Sequence, residues 1–137
     1  MKIKVKYYTV KLVTILLSVA LSALSHADEA VFELRTYSTL EGRLPALEAR
    51  FKNHTMGLFE KHGIRNIGYW VPTQRPNTLV YIIRHRSQDA AVASWKAFIA
   101  DPDWQEVARS SQLDGRILIE NGVHSQFLQA ADYSPIK

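Results

Sequence analysis

Two histidines, His54 and His62, stand eight residues apart in a segment where Leu44, Leu47, Phe51, Leu58 and Phe59 recur at helical spacing. At about 100° per residue those apolar positions fall on one side of a helix, with His62 among them and His54 only slightly beyond Leu47. Arg50, Lys52, Asn53, Glu60 and Lys61 are predicted to point elsewhere. An imidazole aimed into an apolar space can orient a carbonyl, relay a proton or ligate a haem iron, because it titrates near neutrality and keeps a lone pair when neutral. The structural alternative for His54 is a core histidine satisfied by the backbone or by Tyr37 or Tyr81. For His62 it is a last-turn residue that interacts with the helix dipole.

Arg35 and Tyr37 share one face of an alternating segment with Glu33, opposite Phe32 and Leu34. An arginine on such a face is either half of a subunit-interface ion pair with Glu33 or Asp101, or an anion-binding group lining a cavity. Tyr69 or Trp70, Tyr81 and Trp95 add aromatic surface between sheet and helix, which serves as core or as the wall of a ligand pocket. The candidate ligand-binding set is therefore His54, Tyr37, Tyr81, Trp95 and Arg35. Metal chemistry is weakly supported, since zinc-binding histidines on a helix sit three or four residues apart rather than eight. His85 and His124 fall in strands, and no HExxH, EF-hand, Gly-rich phosphate loop or GxSxG occurs. Asn53-His54-Thr55 matches a glycosylation acceptor but lies mid-helix.

The elements that must position these groups follow from local chemistry. Val31 to Tyr37 alternates and is β-prone, reading as a first strand. Gly42 and Pro45 mark a turn and a helix start, and Gly63 suits the left-handed position that ends the helix. Ile64 to Thr73 and Thr78 to His85 read as a hairpin joined by Gln74-Arg75-Pro76-Asn77. Gln88 to Ala100 reads as a helix burying Val92, Trp95, Phe98 and Ile99. Asp101-Pro102 then breaks and restarts it, the carboxylate capping free N–H groups and the proline filling the first turn. Val123 to Gln129 reads as the last strand. The order βαββ(αα)β predicts an α+β, ferredoxin-like subunit: a four-stranded antiparallel sheet with helices on one face and the other face left to be covered.

The first 27 residues read as a secretory leader: Lys2, Lys4, Lys6 and Lys11 without an acid, an apolar run from Leu12 to Leu24, then Ser25-His26-Ala27, with cleavage expected after Ala27. The run is shorter than the ~20 residues that span a bilayer. The expected mature domain, 28–137, is periplasmic or secreted, with no stable membrane insertion. Of 17 Lys and Arg, the leader holds four, which leaves 13 against 13 Asp and Glu. The excess positive charge that nucleic-acid binding needs is absent from that part. There is no cysteine, which excludes disulfides, thiolate metal sites and cysteine nucleophiles.

Five segments in order, ELRTY (33–37), FKNHTMGLFEKHG (51–63), GYW (68–70), NTLVY (77–81) and WKAFIADPDWQEV (95–107), resemble the NIPSNAP family over residues 31–135. The resemblance implies a dimeric α+β barrel, in which two subunits pair through their sheets as a homodimer. Relatives in the wider superfamily include cofactor-free monooxygenases, isomerases and haem proteins that use the cavity between sheet and helices. It therefore implies a small hydrophobic ligand, haem among the candidates, in a pocket around His54. The alternatives are a noncatalytic protein-interaction module and a monooxygenase-like or isomerase-like enzyme. In the DPDW segment, the cap and Trp95 and Trp104 on either side of the corner read as structural support.

Overall fold

The computed structural model describes residues 29–137; the expected leader and its cleavage point lie outside the described residues. Strand β1 (Val31–Thr39) is followed by helix α1, running from Leu44 to Lys61. Strands β2 (Arg65–Trp70) and β3 (Thr78–His85) form the expected hairpin, shorter than predicted on the β2 side. Helices α2 (Gln88–Ala100) and α3 (Pro102–Ser110) precede β4 (Leu118–Leu128), which begins five residues earlier than the sequence pattern suggested. The sheet is antiparallel in the order β2-β3-β1-β4, and the architecture is α+β with a ferredoxin-like subunit.

Local chemistry fixes the ends of these elements. Gly63, at φ +73°, lets the chain reverse after α1, and the Ile64 N–H donates to the Phe59 carbonyl at 2.9 Å, which satisfies a terminal acceptor. Ser87 caps α2 by accepting from the Ala90 N–H. Asp101 caps α3 by accepting from the Asp103 N–H at 2.9 Å, with Pro102 in the first turn. Asp101 also receives Lys61 Nζ at 2.8 Å and His62 Nε2 at 2.6 Å, which ties the end of α1 to the α2–α3 corner. These donors hold the Asp101 carboxyl well below the usual carboxylate range.

Helix α1 departs from simple periodicity at Phe51–Thr55, where the backbone forms one π-helical turn and the Met56 N–H reaches back to the Phe51 carbonyl. Such a turn advances each residue through a smaller angle than an α-turn. Thr55 lands in the core and His54 faces solvent. The expectation that His54 enters the apolar space fails for this reason.

The core lies between the helices and the sheet: Leu44, Leu47, Phe51 and Phe59 from α1, Leu79, Tyr81 and Ile83 from β3, Ile64, Ile117, and Phe98 from α2. Each large apolar side chain removed from water here contributes roughly 1.5–3 kcal/mol. In α2 the buried line is Ala91 and Phe98 with Trp95 packed against the core, while Val92 and Ile99, expected inside, are exposed. Strand β4 carries a bulge opposite Tyr37–Thr39, with Asn121 at φ 54°. Gly122 is required there, since a Cβ would stand 2.7 Å from the Ser38 carbonyl oxygen. The opposite, helix-free face of the sheet presents Phe32 and Ile82, and the C-terminal tail lies over it. Tyr133, Pro135 and Ile136 close an apolar hollow of about 420 Å³ with Phe32, Ile67, Ile82 and Leu128.

Candidate functional site

The strand register brings Glu33, Arg35 and Tyr37 of β1 beside Ile83, Tyr81 and Leu79 of β3, and beside Phe127, Ser125 and Val123 of β4, all on the helix-bearing face. At its centre Glu33 is 2% exposed and accepts four hydrogen bonds. Arg35 Nη1 donates at 2.5 Å, Ser125 Oγ at 2.5 Å, Trp95 Nε1 at 2.7 Å and His85 Nε2 at 2.9 Å. Burial raises the carboxyl pKa, but the hydrogen bonds from His85, Ser125 and Trp95 together with the Arg35 charge outweigh it and lower the value from 4.5 to about 2. An ionised acceptor fixes the His85 proton on Nε2, leaving Nδ1 buried without a partner.

Glu33 thereby holds Arg35. The Arg35 guanidinium lies 4.4 Å from the Trp95 ring centroid, a cation–π distance, and its Nη2 donates to the Tyr37 hydroxyl at 3.1 Å. Burial lowers the Arg35 pKa, but Tyr37, Tyr81 and Glu33 raise it well above the ordinary value. The Tyr37 ring meets Tyr81 edge-on at 5.3 Å, and Tyr69 stacks on Tyr81 at 5.2 Å. Tyr81 is fully buried, its hydroxyl makes no hydrogen bond among the described residues, and burial pushes its pKa well up. Four of the five residues singled out from sequence, Arg35, Tyr37, Tyr81 and Trp95, thus come together. The ion pair predicted for Arg35 forms with Glu33 of its own chain, not with Asp101.

His54 does not join them. It lines a separate groove of about 400 Å³ between α1 and α3, with Ala46, Ala49, Arg50, Val107 and Leu113 among its neighbours. His62 is bound to Asp101. Among the described residues His54 lies outside the aromatic cluster, His62 is bound to Asp101, and His85 gives its Nε2 to Glu33 while its Nδ1 is fully buried, so none presents an accessible ring nitrogen to the cluster as an axial haem ligand. A haem seated there does not fit this donor set. Among the described residues no group of three or more His, Asp or Glu could hold a metal ion.

The residue that sequence reasoning missed is Arg50. Expected to point away from the apolar side of the helix, it is 6% exposed, with its guanidinium 5.5 Å from the Trp104 ring centroid of α3. Burial lowers its pKa, and Tyr37 and Tyr81 lie close enough to oppose the shift. Among the described residues no carboxylate pairs with it, and its Nε has no partner. Helix periodicity could not reveal this, since Trp104, fifty-four positions on, covers that flank of α1.

Two surface features adjoin these residues. One is the α1–α3 groove, of whose lining Arg50 is part. The other lies along the edge strand β4, where Val123 and Phe127 remain 42% and 40% exposed beside Tyr37 and Glu33. No helix among the described residues is long and apolar enough to cross a membrane.

A four-stranded antiparallel sheet with its helices on one face defines a ferredoxin-like α+β subunit. Within that class the NIPSNAP family model matches residues 32–135, and the chain belongs to the NIPSNAP family. Its fold is similar to a NIPSNAP family protein of unknown function from Agrobacterium tumefaciens, at TM-score 0.68 and 22% identity over 82% of this chain and 97% of that one. It is also similar to an uncharacterised NIPSNAP-like domain protein from Burkholderia xenovorans, at TM-score 0.68 and 18% identity over 79% of this chain and 90% of that one. SnoaB, a cofactor-independent oxygenase from Streptomyces nogalater, aligns with TM-score 0.56 and 15% identity over 78% of this chain and 98% of its own. No curated protein matches the sequence.

Proposed function

We propose that this chain is an exported small-molecule-binding subunit, working as a homodimer, that takes a mainly apolar ligand into the space bounded by Arg35, Tyr37, Tyr81, Trp95 and β4. The observation that carries the reading is the exposed pair Val123 and Phe127, which leave apolar surface open to water beside the strand that carries the fixed Arg35 guanidinium and Tyr37. A folded chain has no packing reason to place a rigid cation against Trp95 and leave the adjoining apolar lip uncovered, whereas ligand sites combine apolar walls with a few oriented polar groups. Arg35 and the two tyrosines supply donors for a ligand oxygen. Trp95 supplies a flat apolar surface, and Glu33 keeps both in place.

SnoaB, of similar fold, is an oxygenase that needs no cofactor. Turnover of that kind is the enzymatic version of the reading, although the cluster offers no free general base, its carboxylate being saturated by four donors.

Native mass spectrometry of the mature protein from its export compartment tests the proposal. The expected result is a dimer, cleaved after Ala27, that carries a reproducible extra mass or takes up 2-naphthalenemethanol. Val123→Glu, at an exposed position, should abolish uptake with an unchanged far-UV spectrum. A dimer that arrives empty and ignores this probe would overturn the reading.

A further inference from the structure

Arg65 of β2 and Arg84 of β3 are cross-strand partners, and Arg84 is in turn the partner of Phe32 in β1. All three stand on the helix-free face of the sheet, two residues along the strands from Ile67 and Ile82, which line the apolar hollow beneath the C-terminal tail. Side chains directly opposite on one face have Cβ atoms about 4.5–5.5 Å apart, and like charges so placed destabilise the strand pair. Arg65 is exposed and Arg84 half-buried, with the Arg84 Nε shut off from water and unpartnered among the described residues. Neither arginine forms an ion pair among those residues. Glu29 and Asp132 share a recess with Arg84 and Lys137, yet neither acid pairs with it. The chain thus keeps two cations side by side at the rim of an apolar space, and an anion held between them would remove the cost of that arrangement.

We infer that the hollow and the Arg65–Arg84 pair form a second ligand site, separate from the cluster around Arg35, that takes a medium-chain aliphatic carboxylate. Its volume of about 420 Å³ is that of a small-molecule pocket. A guanidinium presents a planar fork of N–H donors that matches the two oxygens of a carboxylate, and two such forks stand at one rim. Two residues along a strand span about 6.6 Å, so a headgroup at the arginines sets the first methylenes over Ile67 and Ile82 and the rest of the chain under Pro135 and Ile136. The tail's own polar contacts close on itself: Lys137 Nζ donates to the Ala131 and Asp132 carbonyls, and Ser134 Oγ to the Ile136 carbonyl. Apolar contact is therefore what seats the tail on the sheet, and an aliphatic chain sliding beneath it replaces like with like. The hollow alone would suit an alkyl chain or the face of a second copy, and the uncompensated arginines at its rim decide for an anion.

The test titrates decanoate and its neutral counterpart decanol into the isotope-labelled mature protein, with affinity and location read from amide chemical shifts. Wild type should bind decanoate at least about tenfold tighter, the equivalent of one good charge-assisted contact, with the largest shifts at Ile67, Ile82, Tyr133 and Ile136. Arg65→Gln, at an exposed position, should reduce the preference, and Arg65→Gln with Arg84→Gln should bring decanoate down to the affinity of decanol while decanol itself is unchanged. Ile136→Ser should weaken both probes alike. Without ligand, Arg65→Gln should melt no lower than wild type, since it relieves a like-charge contact.

Equal affinity of wild type for the two probes, or binding of neither, would overturn the assignment. Shifts confined to Trp95 and Val123 would place the carboxylate on the helix-bearing face and remove the second site. Binding that emerges only when the protein is diluted to monomer would give the face to a second copy instead. A clear loss of Tm in Arg65→Gln would show that the fold itself compensates the arginine pair and would leave no reason for an anion there.

Discussion

Arg35 and Arg50 are two buried arginines beside the same pair of tyrosines, Tyr37 and Tyr81, yet they stand in opposite electrostatic situations. Arg35, at the β1–β4 edge, is bound to Glu33, and its charged form is favoured. Arg50, in the α1–α3 seam, is paired with no acid among the described residues, and burial disfavours its charge. The difference separates two situations of one residue type: one cation is compensated and held by an acid of its own chain, and the other is paired with no acid among the described residues. Which arginine is which could not be decided from residue type or helix phase, only from where the single acid, Glu33, sits.

The sharpest way to break this contrast is to make Arg35 resemble Arg50. Glu33→Gln removes the charge that compensates Arg35 and weakens the acceptor for His85, Trp95 and Ser125; breaking a buried pair in this way should cost roughly 3 kcal/mol, read as a lower urea midpoint. The same substitution has a pH signature. The folded-state pKa of Glu33 lies near 2 against an ordinary 4.5, so its contribution is fully present above about pH 4.5 and is lost as pH falls toward 2. Thermal melts between pH 5 and pH 2 should fall more steeply for wild type than for Glu33→Gln, and parallel curves would show that Glu33 is not the group responsible.

Trp95→Phe keeps a ring under Arg35 but deletes the Nε1 donor at 2.7 Å to Glu33, and should cost about 2 kcal/mol, as expected for a hydrogen bond to a charged acceptor. On the open side the expected effects are smaller. Tyr81→Phe deletes a hydroxyl that has no hydrogen-bond partner among the described residues, so it should shift stability by less than about 1 kcal/mol despite complete burial. A larger loss would mean that the hydroxyl is satisfied inside the folded chain. Smallest of all, His54→Ala lies on an exposed turn and should stay within about 0.5 kcal/mol of wild type. It should also leave binding at the aromatic cluster unchanged, whereas a His54 that belonged to the cluster would weaken it.

The parts of the fold that were legible in the sequence are those set by one residue's own backbone chemistry. Gly63 marks the reversal after α1, Asp101-Pro102 marks the α2–α3 corner, and strand alternation puts Glu33, Arg35 and Tyr37 on one face. What escaped was set by packing at a distance. The π-turn at Phe51–Thr55 has no residue that announces it, and it alone turns His54 out of the predicted site. Arg50 reads as a surface residue until Trp104 is laid over it. Val92 and Ile99 read as buried because they are apolar, but the helix needs only Ala91, Trp95 and Phe98 to meet the core. The Asn121-Gly122 pair, a common hairpin signal, is here a bulge that gives way at Ser38.

The tail segment draped over Phe32, Ile67, Ile82 and Leu128 has a practical consequence for assembly. A second copy that approaches this face meets Tyr133, Pro135 and Ile136 before it meets the strands, so association there is an exchange of one apolar cover for another. The strength of the proposed homodimer would then depend on the difference between two covers rather than on the area of either. In the proposed homodimer, a purification tag fused after Lys137, or trimming of the last few residues by a protease, would act on subunit affinity and leave every strand untouched.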